Sequence, residues 1–305
     1  MFIRQLEYMV ALARERHFVR AAQSCAVSQP ALSEGIRKLE KELDVPLIRR
    51  GNKFEGLTAE GQELVGWARR ILADRDAMND EIAAMRTGVS GQLRFGSIPT
   101  ASIAVSLLNA PFCGLHPQAT VQVVSDLTSE DVLGKLRSFE IDAGITYIQD
   151  PVPEEFRVLP LYLERHVLLT SRGAVTASSA TWAQAATLPL CLLAPSMQGR
   201  RRIDEVFAEV GAAPAPRLET DSVASLFAHV QTGSWSTIVP AAWLRVFGIP
   251  ANLQAVPLVE PRRPVPVGLV TLARDPAPVL VRALLSVAES TDLTFLEHLP
   301  AEKPR

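Results

Sequence analysis

The stretch that decides the fold runs from residue 18 to residue 43 and reads FVRAAQSCAVSQPALSEGIRKLEKEL. It predicts two short helices joined by a tight turn. Ser28 is expected to cap the second helix with its hydroxyl, and Pro30 fits the first turn, where no N–H is needed. The large apolar residues recur at steps of four, three and four, which predicts one buried stripe made of Leu32, Ile36, Leu39 and Leu43.

The side of this helix opposite the stripe is rich in residue types that bind nucleic acids. Gln, Ser and Arg hydrogen-bond to base edges and phosphates, and the second helix of a helix-turn-helix enters the major groove. Taken alone, the helix pair is equally well explained by an ordinary amphipathic helix whose polar face only contacts water. Glu34 can accept from a cytosine amine, but pairing with Arg37 or Lys38 is the preferred interpretation. The candidate DNA-binding residues, including basic ones that follow the helix, are Ser28, Gln29, Pro30, Ser33, Glu34, Arg37, Lys38, Arg49, Arg50 and Lys53.

The neighbouring segments extend this pattern to a winged helix-turn-helix. Residues 2–15 predict a preceding helix, and two extended pieces around Gly51-Asn52 predict a hairpin with Asn and Gly in its turn. The apolar face expected of the preceding helix consists of Phe2, Leu6, Met9, Val10 and Ala13.

Taken together, these motifs resemble those of the LysR-type transcriptional regulators. The matching residues are Ala21-Ala22, Ser28-Gln29-Pro30, Ser33, Ile36, Leu39-Glu40, Arg50 and Leu57-Thr58-Ala59-Glu60-Gly61. The resemblance covers the first 60 or so residues tightly and the remainder by architecture. The sequence departs from the family pattern in three ways: Asp44 stands where Gly is usual, Ile48 replaces a Phe, and the pair Glu34-Gly35 replaces a basic or polar pair.

The composition describes a globular chain with a basic head. Of 305 residues, 48% are apolar and 21% charged, with net charge −2. Residues 1–58 hold ten Lys and Arg against seven Asp and Glu, a net +3, which suits contact with phosphates at one end. The sequence has no signal-peptide pattern and no run of about 18 apolar residues, so we expect no membrane contact. Its three cysteines are far apart and odd in number, so we expect no disulfide framework and a cytoplasmic location.

A long helix over residues 59–86, with Thr58 as its expected N-cap, is expected to dimerise the chain. Apolar residues at a seven-residue spacing predict a seam, with Arg75 as its flaw. Packing on its own domain is the alternative interpretation. The seam positions are Leu64, Ala68, Ile71, Arg75, Met78, Ile82 and Met85. The resemblance implies a homodimer through this helix and a homotetramer from two dimers.

From residue 91 onward strands and helices alternate, which predicts an α/β architecture with largely parallel sheets. The resemblance implies two Rossmann-like lobes similar to periplasmic binding proteins. The expected domains are 1–58, the winged helix-turn-helix; 59–90, the linker helix and hinge; and 91–305, the regulatory domain. Within that domain lobe I covers about 91–162 and 267–305, and lobe II about 163–266.

Ligands in open α/β sheets bind beyond the carboxyl ends of strands, where helix N-termini attract anions. The candidate effector-binding residues at such junctions are Thr100, Ala101, Ser102, Thr128, Thr146, Ser196 and Gln198. Simple helix capping is an equally good role for Thr100 or Ser102 taken alone. Arg200, Arg201 and Arg202 can add charge at the cleft, although a solvated helix face is the preferred interpretation.

The sequence therefore predicts a transcription regulator whose DNA binding responds to a small anionic effector. Expected partners are double-stranded DNA, the effector, further copies of the chain and RNA polymerase. No cofactor, metal or catalytic motif is recognised, so we do not expect an enzyme. Two alternatives remain: a thiol-based redox regulator, although Cys191 is the one cysteine in the second lobe, and an α/β enzyme with a DNA-binding head.

Overall fold

The computed structural model describes residues 1–50 and 54–299, with Arg50 described by its backbone alone. The chain forms two compact units. The first comprises Met1–Gly91 with Arg137–Glu140, and the second comprises Gln92–Leu136 and the chain from Ile141 onward. The elements of the first unit are α1 (Ile3–Glu15), α2 (Phe18–Ser24), α3 (Gln29–Leu43), β1 (Ile48–Arg50), β2 (Phe54–Leu57) and α4 (Ala59–Thr87).

The core of the first unit forms where α3 packs on α1 and α2. The predicted stripe is buried at Leu32, Ile36 and Leu39, whereas Leu43, in the last turn, is 40% exposed. The expected face of α1 is likewise only partly right. Leu6 and Met9 are buried, but Phe2 precedes the helix and is 76% exposed. Both corrections concern helix ends, where the chain leaves the core surface.

The buried carboxylate of Glu40 joins α3 to the wing strands. Its Oε1 accepts hydrogen bonds from the backbone N–H groups of Leu47, at 2.9 Å, and Ile48, at 3.3 Å. β1 and β2 then pair antiparallel, with Ile48 opposite Leu57. The predicted turn at Gly51-Asn52 lies outside the described residues.

The family-atypical Asp44 ends α3 in a left-handed conformation, with φ 53°. Its backbone N–H donates to the Glu40 carbonyl, which closes the helix. Aspartate tolerates this region better than most residues. The departure from glycine therefore keeps the same tight exit.

The backbone of Leu47 passes so close to the start of α4 that position 61 must be glycine. Thr58 caps this helix, as predicted, by accepting from Gly61 N–H at 3.0 Å, and its own hydroxyl donates to the Pro46 carbonyl at 2.7 Å. A Cβ on Gly61 would collide with the backbone carbonyl oxygen of Leu47. The connection into the wing and the start of α4 thus share one tight contact.

The second unit alternates strands and helices, and two short 3-10 turns at Pro99–Ala101 and Thr294–Glu297 complete it. Its elements are β3 (Ser90–Ser97), α5 (Ser102–Leu115), β4 (Gln118–Val124), α6 (Ser129–Arg137), β5 (Ala143–Tyr147), β6 (Phe156–Glu164), β7 (His166–Ser171), β8 (Ala180–Thr181), α7 (Trp182–Ala186), β9 (Cys191–Leu193), α8 (Gln198–Glu209), β10 (Leu218–Thr220), α9 (Val223–Gln231), β11 (Thr237–Pro240), α10 (Trp243–Phe247), β12 (Leu253–Val259), β13 (Val265–Leu272) and α11 (Val279–Ser290).

These elements build two α/β lobes. One lobe contains the five-stranded sheet β4-β3-β5-β13-β6; the other contains the four-stranded sheet β11-β7-β12-β8 and the parallel pair β9-β10. The expectation of largely parallel sheets is wrong, because β13 runs antiparallel to β5 and β6, and β7 runs antiparallel to β11 and β12. The chain enters the second lobe on β7 and returns to the first lobe on β13. Each of these two strands runs antiparallel to both of its neighbours in the sheet.

Among residues 1–50 and 54–299, no helix combines the length and apolarity that a bilayer crossing needs. Within the same residues, no cluster of three or more His, Cys, Asp or Glu side chains is arranged to hold a metal ion.

Gly61 and Gly66 give a matched test of the contact at the start of α4. Gly61→Ala is expected to lower the thermal midpoint of the first unit, because backbone must move to admit the methyl group. Gly66→Ala meets nothing within 4 Å. It should raise helix stability by up to about 1 kcal/mol. Thermal unfolding of both variants checks this, and equal effects would contradict the contact.

Candidate functional sites

The first candidate site is the exposed face of α3. Gln29, Pro30, Glu34, Arg37 and Lys38 are exposed, and Ser33 is half-buried at the edge of the same face. The opposite, apolar side of the helix is fully occupied by the core. The helix therefore presents its first two turns to solvent as a polar surface.

Hydrogen bonds along α3 hold this surface in a defined arrangement. Ser28 accepts from Ala31 N–H at 3.3 Å as the cap, and Gln29 Nε2 donates to Ser33 Oγ at 2.9 Å. Arg37 and Glu34 form an exposed ion pair at 3.4 Å, which is the preferred interpretation from the sequence. Gln29, Ser33 and Arg37 are thus oriented on one helix face, as major-groove contacts require.

The wing, which is the hairpin of β1 and β2, carries three of the predicted basic DNA contacts. Of these, Arg49 on β1 is exposed. The side chain of Arg50 and the whole of Lys53 lie outside the described residues. Their predicted contacts stay predictions.

The second candidate site is the cleft between the two lobes of the second unit. The buried hydroxyl of Thr100, at the start of the helical segment after β3, lies 3.0 Å from Tyr147 Oη at the end of β5. Tyr147 in turn donates to Glu164 Oε1 at 2.8 Å. Glu164 is the last residue of β6, immediately before the chain crosses to the other lobe. One chain of hydrogen bonds therefore links the predicted effector residue Thr100 to the interlobe connection.

A second set of contacts joins α6 of one lobe to α8 of the other. The Ser129 backbone N–H donates to Gln198 Oε1 at 2.8 Å, and Gln198 Nε2 donates to Ser129 Oγ at 2.9 Å. Thr146 Oγ1 donates to the same Ser129 oxygen at 2.6 Å. The amide of Gln198 thus occupies the N-terminus of α6, a position that attracts a carboxylate.

The remaining predicted effector residues lie around these contacts but differ in access. Ala101 is fully buried, whereas Ser102 and Ser196 are exposed. Thr128 already has a hydrogen-bond partner nearby in the sequence, because its N–H and its hydroxyl both donate to Asp131 Oδ2, at 2.9 and 2.7 Å. These hydrogen bonds lower the pKa of Asp131 and cap α6 from within.

Two arginines of α8 depart from the preferred interpretation of a solvated face. Arg200 is buried and pairs with Asp204 at 2.7 Å and Glu219 at 2.6 Å, and it donates to the Leu193 carbonyl. Arg202 stacks on Tyr147, with its guanidinium carbon 3.9 Å from the ring centroid, and its Nε is buried without a hydrogen-bond partner in the described part of the chain. Of the three, Arg201 alone is exposed.

Sequence reasoning missed Tyr147, Glu164 and Ser129 as cleft residues. Their positions after strands and at a helix start were visible, but their mutual contacts join segments that are far apart in sequence. The sequence did offer Arg202 as a possible cleft cation, although a solvated helix face was the preferred interpretation.

Burial dominates the electrostatics at the interlobe connection. It raises the pKa of Glu164 to about 7, although hydrogen bonds from Tyr147 and Thr100 and the charge of Arg202 oppose the rise. Burial also lowers the pKa of His166 to about 4, with the Arg202 charge acting in the same direction. His166 Nε2 lies 3.7 Å from Glu164 Oε1. A neutral imidazole thus faces a carboxyl group that titrates near neutral pH.

The second-lobe cysteine is enclosed in the core. Cys191 lies in β9, is fully buried, and burial raises the pKa of its thiol to about 11. Since the thiolate is the reactive form, this environment disfavours reaction with oxidants.

Two family models match the chain. The model "Bacterial regulatory helix-turn-helix protein, lysR family" matches residues 3–62, and "LysR substrate binding domain" matches residues 86–291. A hydrogen peroxide-inducible genes activator of Escherichia coli O6:H1 is 32% identical over 261 residues, which cover 79% of each chain.

Solved structures share the fold. A full-length OxyR variant from Pseudomonas aeruginosa superposes with a TM-score of 0.76 at 24% identity, covering 100% of this chain and 99% of that one. CbnR in complex with its target DNA superposes with a TM-score of 0.65 at 23% identity, covering 95% and 99%.

Glu164→Gln tests the buried carboxyl group. A folded-state pKa above the ordinary value of 4.5 means that the folded protein holds the proton more tightly, so stability falls as pH rises from about 4.5 to 7. The wild-type melting temperature should therefore drop by about 5 °C or more across this window relative to Glu164→Gln. The exposed Glu154→Gln is the control. Parallel pH profiles for wild type and Glu164→Gln would contradict the assignment.

Proposed function

Because this chain belongs to the LysR family of bacterial DNA-binding transcription regulators, we propose that α3 reads operator DNA and that an anionic metabolite in the interlobe cleft modulates this binding. The observation that carries the proposal is the Gln198 amide seated on the N-terminus of α6. There the Oε1 of Gln198 already accepts the backbone N–H of Ser129, which is the hydrogen bond that a ligand carboxylate can accept.

The DNA-reading role of α3 is supported by its orientation. The core fixes the helix on its apolar side, and Gln29, Ser33 and Arg37 face solvent on or beside the same surface. Direct base contacts fall to these residues, while Lys38 and the basic residues of the wing serve the phosphates. CbnR, a structure of the same fold, is solved with its target DNA.

Assembly through α4 is supported by a stripe of exposed apolar side chains. Met78, Ile82 and Met85 are 57%, 54% and 80% exposed, at spacings of four and three residues. The apparent flaw in the seam, Arg75, forms ion pairs with Glu7 of α1 and with Asp76, so its charge is already compensated. We propose a homodimer through this stripe and a tetramer of two dimers.

The effector role of the cleft is supported by polar groups that converge from both lobes. Thr100, Ser129 and Thr146 come from one lobe, and Gln198 and Arg202 from the other. Arg202 Nε and Ser97 Oγ at the end of β3 are buried without hydrogen-bond partners in the described chain. A carboxylate ligand that displaces Gln198 would find both N–H donors and a cation.

The wider proposal is a cytoplasmic regulator that acts with RNA polymerase and catalyses no reaction. Relatives named for hydrogen peroxide keep the redox alternative open. The burial of Cys191 and its raised pKa favour the metabolite instead.

The DNA-reading proposal is tested on the site that the full chain selects from a random duplex library. Arg37→Ala should weaken binding to this site about 5- to 100-fold and relax specificity, because a base contact is lost. Lys38→Ala should weaken binding on all sequences and reduce the salt dependence by about one phosphate contact. Arg217→Ala, an exposed residue of the other unit, is the control. Gel shifts at several salt concentrations distinguish these outcomes, and unchanged binding by both variants would refute the assignment of α3.

The effector proposal is tested by thermal shift on the full chain with a library of small metabolite acids. A true ligand raises the melting temperature by mass action. Gln198→Ala should increase its affinity, since the internal amide no longer competes, whereas Thr100→Val should reduce it. Each active acid is compared with its neutral amide. Stabilisation by the amides, or weaker binding to Gln198→Ala, would show that the cleft does not work in this way.

A further inference from the structure

A second cavity lies outside the cleft, where the chain crosses between the two lobes. Its volume is about 290 Å³. Arg165 and His166 line it from the β6–β7 connection, and Pro261, Arg262 and Pro264 line it from the β12–β13 connection. The cavity therefore touches both interlobe connections.

The floor of this cavity is apolar and aromatic. It consists of the buried residues Trp182, Val167 and Leu258. The Trp182 ring is held in place, because its Nε1 donates to the Pro261 carbonyl at 3.1 Å and it meets the Phe207 ring edge-on at 5.3 Å between centroids. A fixed indole of this kind offers a preformed contact for a flat ring.

The rim of the cavity is cationic. Arg165 and Arg262 are exposed, and no carboxylate pairs with either within residues 1–50 and 54–299. Arg263 is also on the rim, paired with Glu209 at 2.6 Å. Glu297, the acid that lines the cavity, accepts from the Leu163 backbone N–H at 3.0 Å. His166 is neutral at pH 7, so the free positive charge comes from Arg165 and Arg262.

The remaining wall is a segment near the end of the chain that Arg245 fixes. Its Nη2 donates to the carbonyls of Phe295, His298 and Leu299 at 3.1 to 3.3 Å, and its guanidinium lies over the Phe295 ring. His298 and Leu299 thereby form one side of the cavity. The site is assembled from five separate parts of the sequence.

We infer that this cavity is a second small-molecule site, which takes a carboxylate carrying a single aromatic ring. The ring lies against Trp182 and the aliphatic floor, and the carboxylate faces Arg165 and Arg262 at the rim. The volume is at the low end of ligand pockets and suits one ring rather than two. Because the occupant contacts both interlobe connections, it restricts the same hinge that an effector in the cleft acts on.

The test uses phenylacetate as the probe, with its neutral analogue phenylacetamide, and measures binding to the full-length chain by calorimetry. We expect saturable binding of phenylacetate and binding of phenylacetamide that is about three- to fivefold weaker or more, since exposed charge pairs contribute modestly.

Variants locate the binding. Arg262→Ala should raise the dissociation constant about three- to fivefold, and Arg165→Ala with Arg262→Ala more. Ala241→Leu, which fills the cavity from a buried position, should abolish binding. The exposed Arg217→Ala is the charge-matched control and should bind as wild type. Arg262→Ala is a surface change, so it remains informative if Ala241→Leu does not fold.

The outcome is separable from the effector proposal. Binding that survives Arg262→Ala unchanged, or that is lost in Thr100→Val or strengthened in Gln198→Ala, places phenylacetate in the cleft and overturns the second site. Absence of phenylacetate binding also overturns it. Neither result affects the shifts expected from metabolite acids in the cleft.

Discussion

Leu32, Ile36 and Leu39 remove one side of α3 from water, and this one-sided burial orients everything that the helix presents outward. With those three side chains in the core, Gln29 and Arg37 can only face solvent. The same helix carries Glu40, whose buried carboxylate accepts the N–H groups of Leu47 and Ile48 and so fixes the start of the wing. The packing that stabilises the first unit thus also positions the exposed face of α3 that we propose reads DNA.

In the second unit the corresponding role falls to polar contacts between lobes. Thr100, Tyr147 and Glu164 form a buried chain that ends at the connection between the two sheets. A carboxyl group with a pKa near 7 at such a position is sensitive to any change in its neighbours. The protonation of Glu164 is therefore coupled to the hydrogen bonds that Tyr147 and Thr100 make at the cleft.

Local patterns were enough to predict most helices and strands and the caps at Ser28 and Thr58, because these depend on spacing and capping chemistry. The strands β6, β8 and β12 and the short helix α7 were missed. β6 and β12 each contain a proline, Pro160 or Pro257, which argues against a strand until the pairing partner is known. β8 and α7 have two and five residues, which is too short for a periodic pattern to show. The cleft was predicted only as a set of helix starts. The contact of Gln198 with Ser129, 69 residues apart, and the stacking of Arg202 on Tyr147 follow from tertiary packing that no local pattern specifies.

The amide of Gln198 has a consequence for the proposed signalling. Because it is tethered beside the position that we propose for an effector carboxylate, it would act as an internal competitor at a high local concentration. Under this proposal an incoming metabolite has to displace the amide in order to bind, so the concentration needed for a response would exceed the intrinsic dissociation constant of the site. Such a regulator would ignore trace compounds and answer to a metabolite that the cell has accumulated.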